Sequence, residues 1–137
     1  NNVMAKSKVL TAEDILNADD IQLERVSVPE WGGDVYVKAT NGKEFSDLQA
    51  QIIERKGNNQ RVNLENIQAK LVAICTCDES GERLFNQKQV GLLAEKSSAA
   101  LQRVFKVAQR LSGLGDDEIE GLTDDLKENP TEDSPSD

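Results

Sequence analysis

The sequence predicts an α+β fold: a predominantly helical single domain with an N-terminal β-hairpin and a disordered acidic C-terminal tail. Three observations lead there. Period-two alternation rich in β-branched residues is confined to about 22–40, spacings of three and four dominate from 42 to 122, and the negative charge gathers at the end of the chain. From Asp116 to Asp137 ten acidic residues stand against Lys127 alone, while the preceding 115 residues carry fifteen of each sign. The 137 residues suffice for one core. Asn1, Asn2 and Val3, which precede Met4, read as residues added for expression and are set aside, so the domain is expected over 4–122.

In chain order, Thr11 can cap a short helix, with Glu13 and Asp14 at its positive end and Leu10 placed to staple onto Ile15. The hairpin follows at about 22–40. Leu23, Arg25 and Ser27 alternate with Glu24, Val26 and Val28, and Val35, Val37 and Ala39 alternate with Tyr36, Lys38 and Thr40. Pro29-Glu30-Trp31-Gly32-Gly33-Asp34 joins the two strands; proline and the two glycines favour a loop of more than two residues.

Asn41 and Glu44 form a capping box for a helix over about 42–56, with Phe45, Leu48 and Ile52 as its apolar stripe. Gly57 ends it, and 57–60 reads as a polar connection. The stripe Leu64, Ile67, Leu71, Ile74, Cys75 predicts a helix over about 62–77, although Leu71–Cys77 is rich enough in β-branched residues to be a strand instead. Asp78-Glu79-Ser80-Gly81 is a turn; it lacks the alternating oxygen ligands and terminal glutamate of a calcium loop. Asn86 and Gln89 make a second capping box for a helix at about 87–95, with Phe85 set to pack on Val90. Ser97 or Ser98 caps the most regular helix, 98–112, whose face of Leu101, Val104, Phe105, Ala108 and Leu111 opposes Gln102, Arg103, Lys106, Gln109 and Arg110. A last helix is expected over 116–122. Residues 123–137 carry one large apolar side chain, two prolines and high charge, too little to offset the entropy of ordering.

Composition narrows the function. The balanced body shows no basic excess of the kind that phosphate recognition requires, so no nucleic acid is expected as partner. Histidine is absent, and Cys75 and Cys77 are the only cysteines. Two thiols without imidazoles cannot complete a zinc shell, and a disulfide between residues two apart is geometrically poor. No cofactor, metal or catalytic residue is expected, since no carboxylate pair stands out from surface and cap positions. No run of about 18 apolar residues and no apolar leader occur, so neither membrane nor export is expected.

Taken in order, several patterns resemble one family. Glu13-Asp14-Ile15-Leu16 precedes Val28-Pro29-Glu30-Trp31-Gly32-Gly33-Asp34-Val35-Tyr36-Val37; Leu71-Val72 precedes Cys77-Asp78-Glu79-Ser80-Gly81-Glu82-Arg83-Leu84-Phe85; Leu93-Ala94-Glu95-Lys96-Ser97 and Leu101 through Leu111 follow. From about Leu10 to Leu122 this is similar to the tail assembly chaperones of long non-contractile-tailed bacteriophages and prophages. Pro-Glu-Trp-Gly-Gly between two strands is the most distinctive element. The resemblance implies a non-enzymatic protein that binds the tape measure protein and keeps it soluble until tail tube subunits arrive. It implies residence in the host bacterial cytoplasm and absence from the mature virion. In many relatives a programmed frameshift appends a domain that recruits the tail tube protein, and this chain would correspond to the shorter product. A second copy of the chain is a further candidate partner. The competing readings are a structural tail or head–tail connector component, and an adaptor acting through its acidic tail.

Glu30, Trp31, Gly32 and Gly33 are the candidate partner-binding residues, because an aromatic side chain at a hairpin tip beside glycines often anchors a partner. The competing role for Trp31 is that of a lid folded onto the core. Trp31→Ala separates the two: a lower unfolding temperature of the monomer marks a lid, whereas intact melting with lost association marks a contact.

Overall fold

The computed structural model describes residues 8–57, 59–62, 64, 66–119 and 121. Residues 1–3, read above as added for expression, and the acidic segment 123–137, expected to be disordered, lie outside the described residues. The fold is α+β and mostly helical, as the periodicities predict.

Helix α1 (Ala12–Leu16) opens on a capping box: the Asp14 N–H donates to Thr11 Oγ1 (3.2 Å) and the Thr11 N–H to Asp14 Oδ2 (3.0 Å). It buries no residue, and Leu10 and Ile15, the expected staple pair, are both more than half exposed. Strands β1 (Leu23–Val28) and β2 (Gly33–Lys38) pair antiparallel in the register Leu23 to Lys38 through Val28 to Gly33. A 3₁₀ turn over Pro29–Trp31 connects them, and Gly32 takes φ +79°, a left-handed conformation that a Cβ disfavours. One face of the hairpin carries Val26, Val28 and Val37, all buried.

The reciprocal hydrogen bonds of Asn41 and Glu44 (2.8 and 3.0 Å) open α2 (Gly42–Ile52). The helix is shorter than the 42–56 expected. Ile53 adopts φ −99° and ψ 123°, and β3 (Ile53–Lys56) pairs with β4 (Asn59–Val62) across Gly57, whose φ is +60°. The segment read as a polar connection is thus the bend of a second hairpin. The physical reason is local: Gly57 takes the left-handed conformation that a tight reversal uses, and the paired positions Ile53 and Val62 are β-branched.

The helix expected over 62–77 is α3 (Ile67–Cys75), because Val62 belongs to β4 and Asn66 stands at φ +60°, where no helix continues. Both readings of Leu71–Cys77 hold in part. The chain is helical to Cys75, then Thr76–Cys77 extends as β5, the third strand of a sheet ordered β1-β2-β5. The turn that follows is knotted around Asp78 Oδ1, which accepts from Ser80 N–H (2.9 Å), Ser80 Oγ (2.7 Å) and Glu82 N–H (3.0 Å).

The helix expected at 87–95 is a 3₁₀ turn, Gln87–Gln89, running into one α turn, α4 (Val90–Leu93). Helix α5 (Ser98–Ser112) matches its expected bounds, with Ser97 Oγ accepting from the Ala100 N–H (3.1 Å) and Gly113 at φ +69° closing it. Residues 116–119 form a helical turn where the last helix was expected.

The core lies where α5 meets both the hairpin and α3, with α2 and α4 covering the remaining sides of α3. Every residue from Leu71 to Cys77 is buried. A helix buried all round cannot show a polar face, which is why this segment resisted a reading by periodicity. Leu71→Ala should therefore leave a cavity among α2, α4, α5 and the sheet. The expected loss is about 2–5 kcal/mol of unfolding free energy, read from urea denaturation.

Candidate partner-binding surface

The hairpin tip is held in place by charge. Arg103 of α5 donates from Nη1 and Nη2 to Glu30 Oε1 and Oε2 (2.6 and 2.9 Å), a fork-on-carboxylate pair. Seven residues on, two helical turns along the same face, Arg110 Nη2 donates to both oxygens of Glu24 (3.0 and 2.9 Å). Within the hairpin, Arg25 Nε donates to Asp34 Oδ2 (2.8 Å). Arg103 and Arg110, expected on the solvent face of the last long helix, thus join that helix to the hairpin while staying partly exposed. The signal that could have found this was the pairing of two arginines on one helix face with two glutamates, one within β1 and one in the turn that follows it.

Of the four tip residues, Glu30 is engaged with Arg103 and Gly32 supplies the left-handed bend. Gly33 opens β2 with open space where a Cβ would stand. Trp31 is partly buried and packs against the core cluster, and its indole N–H is enclosed with no acceptor among the described residues. Its ring also forms one wall of a groove of about 240 Å³, completed by Phe85, Gln89, Leu92, Leu93 and Lys96. Leu92 is 68 % exposed there. The structure therefore brings Trp31 together with residues some 55–65 positions later in the sequence, a proximity that no local pattern announces. A more polar cleft of about 380 Å³ lies between α2, α3 and residues 83–87, with Asp47, Lys70 and Arg83 on its walls.

The perturbed ionisable groups have structural causes. Burial pushes the Cys75 thiol up to about 12, against a weaker lowering contact from Ser112, and burial likewise raises Cys77. Both are free thiols and stay protonated, hence poor nucleophiles, at neutral pH. Hydrogen bonds from Thr11 hold Asp14 below the usual carboxylate range, and those from Ser80 and the Glu82 backbone do the same for Asp78. Among the described residues, no group of three or more acidic or cysteine side chains could hold a metal ion, and no helix is long and apolar enough to cross a membrane. What the surface offers chemically is apolar contact bounded by charge.

No family model and no curated protein matches the chain. Among solved structures, the fold is similar to that of the bacteriophage HK97 tail assembly chaperone, with a TM-score of 0.52 and 18 % sequence identity over 72 % of this chain and 94 % of that one. At this identity the likeness is one of fold, and the fold is that of the family which the sequence resembles.

The Glu30–Arg103 pair sets a pH dependence. The Arg103 hydrogen bonds, with help from the Glu30 backbone, lower the Glu30 carboxyl from 4.5 to about 2. Because the folded value is the depressed one, the pair's contribution is complete above the ordinary value and fades as pH falls toward 2. Solvent screening keeps that contribution small. Urea midpoints of the wild type and Glu30→Gln should differ by a constant amount above roughly pH 5 and converge below it.

Proposed function

We propose that this chain is a tail assembly chaperone of a long-tailed phage or prophage. In this reading it binds the tape measure protein and keeps it soluble while the tail tube is built. The observation that carries the reading is the fold likeness to the HK97 tail assembly chaperone, which spans 94 % of that chain. The local patterns around Pro29–Asp34 and Asp78–Phe85 resemble those of the same family.

The physical role follows from what a tape measure is: a very long, largely helical protein whose apolar faces aggregate unless they are covered. A chain with a balanced body and a strongly acidic end can cover such faces while its charge keeps the complex dispersed. On this reading the protein acts by contact and not by bond chemistry, works in the host cytoplasm and leaves before the particle is complete. The tip residues Glu30, Trp31, Gly32 and Gly33 belong to the contact surface, with Trp31 serving through the groove wall that it forms. A longer frameshifted product would bring in the tail tube protein.

Co-expression with the tape measure protein encoded beside it should raise that protein's soluble fraction several-fold. An unchanged soluble fraction would remove the chaperone reading, and stoichiometric recovery of this chain from purified particles would replace it with a structural tail component.

A further inference from the structure

Gln109 is out of character for its place in α5. The helical period sets it on one ridge with Lys106 and Gln102, at spacings of three and four, and both of those are exposed. Gln109 is only 7 % exposed. Its Nε2 donates to Asp116 Oδ1 (3.2 Å), the first carboxylate of the acidic end. The chain reaches that position by reversing at Gly113, where φ is +69° and the Leu114 N–H donates to the Gln109 carbonyl (2.8 Å). Ile119 then packs against the core. The acidic end thus begins by turning back onto the helix that precedes it.

Charge continues along the same ridge. From Arg83 to Arg110 six basic residues stand against Glu95 alone. Arg103 and Arg110 are engaged by Glu30 and Glu24 of the hairpin. Lys106, exposed and one turn from each, meets no carboxylate among the described residues, and Lys96 is exposed just before the helix begins. The residues after Gly121 carry six carboxylates against Lys127. Reach is no obstacle: α5 is roughly 22 Å long, whereas sixteen extended residues span up to roughly 50 Å. Attachment to the same chain also keeps these carboxylates at a local concentration that a free partner must exceed.

We propose that residues 122–137 continue this return and lie along the Gln109–Lys106–Gln102 ridge of their own α5, with their carboxylates against Lys106 and Lys96. The acidic end then shields the outer face of α5 from other acidic surfaces until salt or a stronger anionic partner lifts it. The tape measure plays no part in this contact, so the co-expression result above neither supports nor removes it.

A nitroxide attached at Ser134→Cys tests it by NMR on the whole chain; Cys75 and Cys77 are buried and stay unlabelled. At low salt the amide signals of Ala99, Gln102 and Lys106 should lose most of their intensity. Those of Ser46 and Ala50 on α2, which packs on α3, should not. High salt should restore the α5 signals. Lys96→Glu/Lys106→Glu should restore them too, and an unchanged melting curve would verify that this variant folds, since both side chains are exposed. Asp124→Asn/Asp125→Asn/Glu128→Gln should give the same recovery with α5 left intact. Absent broadening, equal broadening on α5 and α2, or signals that neither variant restores would overturn the proposal. So would broadened α5 signals in an isotope-labelled chain without nitroxide when it is mixed with the nitroxide-bearing chain, which would give the ridge to the acidic end of another copy.

Discussion

The molecule depends on one constraint: Leu71 through Cys77 must be enclosed on every side. A helix with no polar face has no stable position except at the centre, so α2, α4 and α5 pack around it and the sheet receives its last two residues as β5. The cysteines are part of this enclosure. They serve as small apolar fillers, and the burial that raises their thiols keeps them protonated and poorly nucleophilic at neutral pH.

Around this centre, polar interactions fix position more than they add stability. Glu44 illustrates the point. It closes the α2 capping box and also meets Arg83 (3.3 Å) and Lys38 (3.7 Å), tying the start of one helix to the sheet and to the turn after β5. Arg103 and Arg110 do the same between α5 and the hairpin. Exposed pairs of this kind contribute little individually, but bidentate geometry defines an orientation. Here it sets where Trp31 stands relative to Leu92 and Leu93, and so creates the groove.

The surface that results suits a protein that works through contact. Its apolar groove is bounded by charge, its arm is held away from the body, and its carboxylates with depressed proton affinity are occupied by caps, a turn and an ion pair. The fold is similar to that of a phage tail assembly chaperone at 18 % identity.

Sequence alone determined what short-range physics controls. The capping residues Thr11, Asn41 and Ser97, the glycine stop at Gly113, the alternation of Val26 and Val28 against Val35 and Val37, and the stripe of α5 are all set within a few residues of chain, and all are where they were expected. The family pattern also pointed to a fold that comparison with solved structures finds. Tertiary structure decided the rest. Ile53 could extend α2 or start a strand, and pairing with Val62 across Gly57 chose the strand. Leu71–Cys77 could be helix or strand because complete burial erases the polar half of either pattern. The groove joins Trp31 to Leu92 across some sixty residues, and no local periodicity carries the distance between two residues that only packing brings together.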